Sequence, residues 1–172
     1  MSTERLIVDK RVLSQFSSKL AQVVSSIPVH PGASAAGTTK VAKLVSDAVS
    51  QGATLLGNGK FEQRGSLLTP QILSNTTTDM DIWHQETFGP VAVLIGFDSI
   101  QEAIGLANDS AYGLSASVFT ADISKALSMA KKLESGAVHI NSTTVHDEAH
   151  APHGGAKGSG WGRFGVPWGR IT

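Results

Sequence analysis

The run Gly89-Pro90-Val91-Ala92-Val93-Leu94-Ile95-Gly96-Phe97 (GPVAVLIGF) decides how the rest of this sequence is read. A Gly-Pro pair marks a turn, and the unbroken apolar, β-branched stretch behind it is too short for an ordinary helix, so Val91 to Phe97 reads as the strongest strand of the chain. Working downstream, Asp98 or Ser99 starts a helix through Ala103, Ile104 and Ala107, and Ser115 to Phe119 forms a strand. Asp122 to Leu133 reads as another helix, and Gly136 to Asn141 as the last strand. Working upstream, Leu67 to Leu73, the glycine-rich turn Gly57-Asn58-Gly59 and Ala53 to Leu56 precede the strong strand. Before them comes a helix capped by Thr39, with Val41, Leu44, Val45, Ala48 and Val49 on one face and Gly52 at its end. A Gly/Ala/Ser-rich connection separates it from a first helix capped by Asp9, carrying Val12, Leu13, Phe16, Leu20, Val23 and Val24 at three- and four-residue spacing, and ended by Pro28 and Pro31. Leu6-Ile7-Val8 is a brief strand ahead of that helix. Strands alternating with helices predict an α/β fold, a largely parallel sheet flanked by helices.

Composition narrows the function classes. The chain has 172 residues, 41% of them hydrophobic, with 14 basic and 14 acidic side chains. One compact domain over residues 1–172 is expected, burying roughly 70% of the unfolded surface. A neutral balance supplies no electrostatic reason for nucleic acid or an anionic membrane as partner. The N-terminal MSTERLIVDKRVL sets charges on both sides of a short apolar run, unlike a signal peptide, and no segment approaches ~18 uninterrupted apolar residues, so a cytoplasmic protein is expected. There is no cysteine. Disulfides, thiolate metal sites and thiol nucleophiles are thereby excluded within these residues.

Four ordered motifs carry a resemblance: ETFGPV (Glu86 to Val91), NDSAYGLSASVFTAD (Asn108 to Asp122), SGAVHIN (Ser135 to Asn141) and PHGGAKGSGWGRF (Pro152 to Phe164). Together they resemble the C-terminal part of the catalytic domain of the aldehyde dehydrogenase superfamily, truncated, and TVHDE (Thr144 to Glu148) followed by PHGG (Pro152 to Gly155) is similar to fungal members of its salicylaldehyde and vanillin dehydrogenase group. The resemblance implies an architecture built for attack of a cysteine thiolate on an aldehyde, hydride transfer to NAD(P)+ and hydrolysis of the thioester with a glutamate as base. In the family the nucleophile precedes a stretch like Met1 to Arg5, and the nucleotide-binding domain lies further upstream. No cofactor is therefore expected for the isolated chain, and NAD(P) only within a longer protein. At the other end, Trp168-Gly169-Arg170 departs from the family's wording where its oligomerisation strand would follow.

Two groups of residues emerge as site candidates. The resemblance places Glu86 against the nicotinamide ribose hydroxyls and Phe88 at the ribose-nicotinamide end, as inherited, vestigial cofactor contacts; a carboxylate suits that work because it accepts from two adjacent hydroxyls. The alternative reading has Glu86 bracketing the turn before Gly89-Pro90 and Phe88 filling core. The second group, His146, Asp147, Glu148, His150 and His153, falls in the loop that lines the family's aldehyde entrance. Imidazoles beside carboxylates perform general acid and base work near neutral pH. His146 and His150 have a metal-ligand spacing only on a helix, which Pro152 disfavours, so no metal site is expected. The glycines and Lys157 of Pro152 to Gly160 lack the phosphate-loop pattern and read as a structural turn.

Three functions stay open at this point. One is a pocket recruited for non-redox acid/base chemistry (isomerisation, cyclisation or addition) on a small carbonyl-bearing ligand. Another is a fragment or remnant of a full-length NAD(P)-dependent aromatic-aldehyde dehydrogenase. The third is a binding module that self-associates through the surface the missing domain once covered. Oxidation of an aldehyde by this chain's own thiol is ruled out, since it has none.

Overall fold

A computed structural model describes residues 3–32, 34–57, 59–145, 148 and 150–165. Their contacts group into two compact units, Ser2–Ser99 and Ile100–Thr172, which are described in turn.

The first unit is built on a four-stranded sheet in the order β1 (Arg5–Asp9), β7 (Val91–Phe97), β6 (Gln71–Ser74), β3 (Thr54–Leu55). The strand β1 (Arg5–Asp9) leads directly into α1 (Lys10–Ser26), because the Asp9 carboxylate accepts the Arg11 N–H and caps the helix, as the sequence predicted. After β2 (His30–Pro31) comes α2 (Ala35–Ser50), which starts earlier than expected. Ser34, extended at φ −161°, accepts the Gly37 N–H and is the cap, and the small residues read as a connection form the first helical turn. The expected cap Thr39 instead turns its hydroxyl back to the Ala35 carbonyl at 3.0 Å, a bond that hydroxyls make inside helices. Gly52 follows the helix at φ +103°, a left-handed position that suits glycine.

Four short strands then run β3 (Thr54–Leu55), β4 (Gln63–Arg64), β5 (Leu67–Leu68) and β6 (Gln71–Ser74); two of them, β4 and β5, join β2 in a separate three-stranded sheet of order β2-β5-β4. The single helical turn α3 (Asp81–His84) precedes β7 (Val91–Phe97), the strand from which the sequence was read. Both neighbours of β7 lie parallel to it: Arg5 pairs with Val93 on one side, and Gln71 with Val91 on the other. Burial follows from this central position. Val91, Ala92, Val93 and Leu94 are buried, together with Leu68, Leu73, Trp83 and the α2 face Val41, Leu44, Val45 and Ala48. The face of α1 is weaker than its periodicity suggested: Val24 is buried, whereas Val12 and Val23 are exposed.

The second unit opens with α4 (Ile100–Asn108), then β8 (Tyr112–Gly113), β9 (Ser115–Val118), α5 (Ile123–Ala130) and β10 (Ala137–Ile140). Asp122 caps α5 by accepting the Lys125 N–H at 3.0 Å. The β9 and β10 strands pair in parallel, Ser115 with Ala137 through Val118 with Ile140. A later strand that the sequence did not announce, β11 (Ala156–Lys157), pairs antiparallel with β8. Two residues are too few to show an alternating pattern, which explains its concealment. Here backbones touch backbones: a Cβ added at Gly136 would lie 1.7 Å from the Gly154 carbonyl oxygen, so only glycine permits this approach. The sheet of the first unit is mostly parallel, as is the β9–β10 pair, and the α/β expectation holds.

Candidate functional site

Parallel pairing sets the first candidate site. Because β1 and β7 run the same way, their N-terminal ends lie side by side, and the Val93 N–H donates to the Glu4 carbonyl at 2.9 Å. The residue ahead of β1 is thus delivered to the turn ahead of β7. Its carboxylate accepts the Thr87 N–H at 3.2 Å and the Thr87 hydroxyl at 3.0–3.1 Å, and that hydroxyl in turn accepts the Gly89 N–H at 3.3 Å. Thr87 is buried, at 3% exposure. Behind the turn, Arg5 donates to the Trp83 carbonyl and stacks over the buried Trp83 ring at 4.1 Å, while Lys40 of α2 donates to the Glu86 carbonyl at 3.0 Å.

Phe88 sits at φ +52°, in the left-handed region, and its ring is 71% exposed. The core-filling alternative therefore fails for this ring: it is displayed, not packed. Glu86, two residues earlier, is half-buried, and its carboxylate has no hydrogen-bond partner among the described residues. Burial pushes the neighbouring Glu4 carboxyl above the usual carboxylate range; hydrogen bonds from Thr87 oppose this, and the charge of Glu86 adds to it. Beside the turn lies an open apolar recess of about 260 Å³, lined in part by Thr3, Leu6, Val24, Ile27, Pro90 and Val91. None of its lining residues titrates, so it offers shape and apolar contact without acid/base chemistry.

The histidine loop belongs to the second unit. His146 and Asp147 lie outside the described residues. Glu148 and His150 are exposed, with the His150 Nδ1 3.8 Å from the Glu148 carboxylate. His153 is half-buried and committed elsewhere: its backbone pairs both ways with Phe164 at 2.8 and 2.9 Å, and its ring stands 5.1 Å from the Phe164 ring, tilted by 54°. Lys157 is engaged as well, donating to the Asn108 and Ser110 carbonyls at 2.6 and 3.0 Å and pairing with Glu134 at 2.6 Å, which supports its reading as part of a structural turn. Among the described residues no group of three or more His, Cys, Asp or Glu is placed to hold a metal ion.

The structure thus places Glu86 and Phe88 together on one tightly bracketed turn, and Glu148 and His150 as a loose exposed pair. Sequence reasoning missed Glu4 and Thr87. Thr87 stood inside the quoted motif without a distinguishing pattern, and the place of Glu4 follows only from a pairing that joins residues more than eighty positions apart.

Comparison with known proteins gives this architecture its class. The sequence matches the Aldehyde dehydrogenase family over residues 1–170. The chain belongs to that family. It is 43% identical over 151 residues to a vanillin dehydrogenase of Pseudomonas fluorescens, a match covering 82% of this chain and 31% of that protein. Among solved structures it resembles a salicylaldehyde dehydrogenase from Pseudomonas putida complexed with salicylaldehyde, with a TM-score of 0.89 at 36% identity over 96% of this chain and 36% of the other. It also resembles the NADP-dependent glyceraldehyde-3-phosphate dehydrogenase of Bacillus halodurans complexed with NADP, with a TM-score of 0.89 at 35% identity over 95% of this chain and 36% of the other. The chain spans about a third of the length of the relatives it matches.

Proposed function

We propose that this chain furnishes the nucleotide-ribose contacts of an NAD(P)-linked aldehyde dehydrogenase acting on aromatic aldehydes. The observation that carries the reading is the turn itself: a displayed ring at Phe88 and an uncommitted carboxylate at Glu86, two residues apart and held by Thr87, Glu4 and Lys40. The residues fit a nicotinamide nucleotide. Glu86 accepts from the two adjacent ribose hydroxyls, a charge-assisted pair of bonds that a neutral side chain does not supply. Phe88 offers its face to the ribose-nicotinamide end and keeps water from it. The chemistry such a nucleotide supplies when bound is the acceptance of hydride. The 172 residues hold no thiol, so the covalent step on the aldehyde belongs to residues outside them. The likeness to vanillin and salicylaldehyde dehydrogenases supports an aromatic substrate.

The test is the intact mass of the native protein, joined to calorimetric binding of NAD+ and NADP+ to it. A mass roughly three times the 17.9 kDa of this chain and nucleotide binding weakened by about 1.5–3 kcal/mol in Glu86→Gln are the expected results. A native mass of 17.9 kDa with no nucleotide binding overturns the proposal.

One observation favours a second reading, in which the loop performs non-redox acid/base chemistry on a carbonyl-bearing ligand: the approach of Glu148 to His150 at 3.8 Å. Under that reading His150→Ala abolishes a turnover while leaving thermal stability nearly unchanged, and an equal loss of both argues against it. Under either reading the isolated chain self-associates through exposed apolar side chains such as Phe119, Ile123, Leu127 and Trp161.

A further inference from the structure

Phe88 raises a question that the proposed cofactor contact leaves unanswered. A non-glycine residue in the left-handed region is strained, and persists only where its surroundings over-determine it. Phe88 is not held by its own ring, which is 71% exposed. The restraint has to come from the backbone on either side of it. Both flanking N–H groups, those of Thr87 and Gly89, are spoken for: Thr87 donates directly to the Glu4 carboxylate, and Gly89 donates to the Thr87 hydroxyl, which itself donates to that carboxylate. The two amides that flank Phe88 thus converge on one anion, that of Thr87 directly and that of Gly89 through one hydroxyl.

We infer that Glu4 is a positioning residue for the Glu86–Phe88 turn, its carboxylate gathering the Thr87 N–H and, through the Thr87 hydroxyl, the Gly89 N–H, and so fixing Phe88 in the conformation that displays its ring. The inference rests on the reading of Phe88 as a cofactor contact for its purpose, though not for its geometry. It assigns Glu4 a role exercised through its bonds to Thr87. The charged groups around Glu4 are few. Glu86 stands on the turn itself, Lys40 of α2 is tied to the Glu86 carbonyl, and Arg5, next along β1, is turned to Trp83. Titration of the Thr87 amide consequently reports Glu4, with Glu86 as the one neighbour of like charge.

Backbone amide NMR of the 172-residue chain tests this. In the unaltered protein the Thr87 and Gly89 amide protons move together with pH, following the Glu4 carboxyl carbon, and the Phe88 carbon shifts carry the left-handed signature. Glu4→Gln abolishes that pH dependence and returns the Phe88 shifts to ordinary values. Thr87→Val removes the pH dependence of the Gly89 amide, and Thr87→Ser, which keeps the hydroxyl, retains it. The β7 amides of Leu94 and Ile95 serve as the fold control; where Glu4→Gln fails to fold, the unaltered protein's titration and the Thr87 pair decide. Flat Thr87 and Gly89 amides in the unaltered protein, or a left-handed Phe88 in a folded Glu4→Gln, overturn the inference. Phe88 ring signals unmoved by NAD+ and NADP+ beside an intact amide titration would sink the cofactor reading alone.

Discussion

At the scale of single residues, the strained turn makes opposite demands on stability and on display. Phe88 at φ +52° costs about 1–2 kcal/mol relative to a residue without a Cβ, and its exposed ring returns little by burial. Glycine accepts that conformation freely but adds about 0.5–1 kcal/mol of unfolded-state entropy. Phe88→Gly is therefore expected to raise stability by up to about 1 kcal/mol, read as a higher urea midpoint, while removing the ring from the site. A lower midpoint would show that the ring packs more than its exposure indicates. Glu4 provides a second prediction, with a definite sign. Burial raises its carboxyl in the folded protein, whereas in the unfolded chain it ionises near 4.3. Between that pH and the higher folded value the native state holds more protons than the unfolded state, so this group makes stability fall as pH rises and is indifferent above the window. Glu4→Gln removes the dependence, and its stability relative to the unaltered protein should improve from pH 4 upward until the folded carboxyl is fully ionised. Thermal melts across that range check it; a variant that loses ground as pH rises reverses the sign and refutes the burial argument.

Among elements, helix α2 separates two capping schemes that the sequence leaves open. Ser34→Ala is expected to cost about 1 kcal/mol because it strands the Gly37 N–H, whereas Thr39→Ala should cost less than about 0.5 kcal/mol, the Thr39 side chain being exposed and bonded back within its own helix. Parallel urea titrations of the two variants distinguish the schemes, and a larger loss at Thr39 would restore the later helix start. What could be read in advance follows a physical rule here. Val91 to Phe97 was legible because an apolar run bounded by Gly-Pro at one end and Asp-Ser at the other admits few local alternatives, and the Asp9 cap was legible because a carboxylate at a helix start acts within three residues. The two-residue strands carry no period at all, and Ser34 was hidden among small residues that suit a loop and a helix equally. At the site, Glu86 and Phe88 were located by the resemblance of their motif. Glu4 and Thr87 were not, since their meeting depends on the parallel register of β1 against β7.

For the whole molecule, apolar burial is uneven. The first unit holds most of the buried apolar side chains, while among the described residues of the second unit Ala103, Val118 and Ala126 are buried and Phe119, Ile123, Leu127, Phe164 and Trp161 are exposed. Monomeric proteins rarely leave so much apolar surface open, and its usual fate is an interface. Sedimentation of the 172-residue chain is expected to show a mass that grows with concentration, with Ile123→Lys and Leu127→Lys shifting it back towards the monomer. A monomer at every concentration would leave that surface unexplained. Membrane insertion offers no alternative through a helix: among the described residues none is long and apolar enough to cross a bilayer.

The pairing that brings Glu4 to its turn also orders events in time. During synthesis β1 leaves the ribosome well before its partner, because Val93, which pairs with Arg5, is added eighty-eight residues later. At about 5–20 residues per second, the Leu6-Ile7-Val8 edge waits roughly 5–20 seconds with its backbone groups unpaired. For that interval β1, an edge strand of the finished sheet, is an open template, and chaperone occupancy of nascent chains ending between residues 40 and 90 should be highest over this segment.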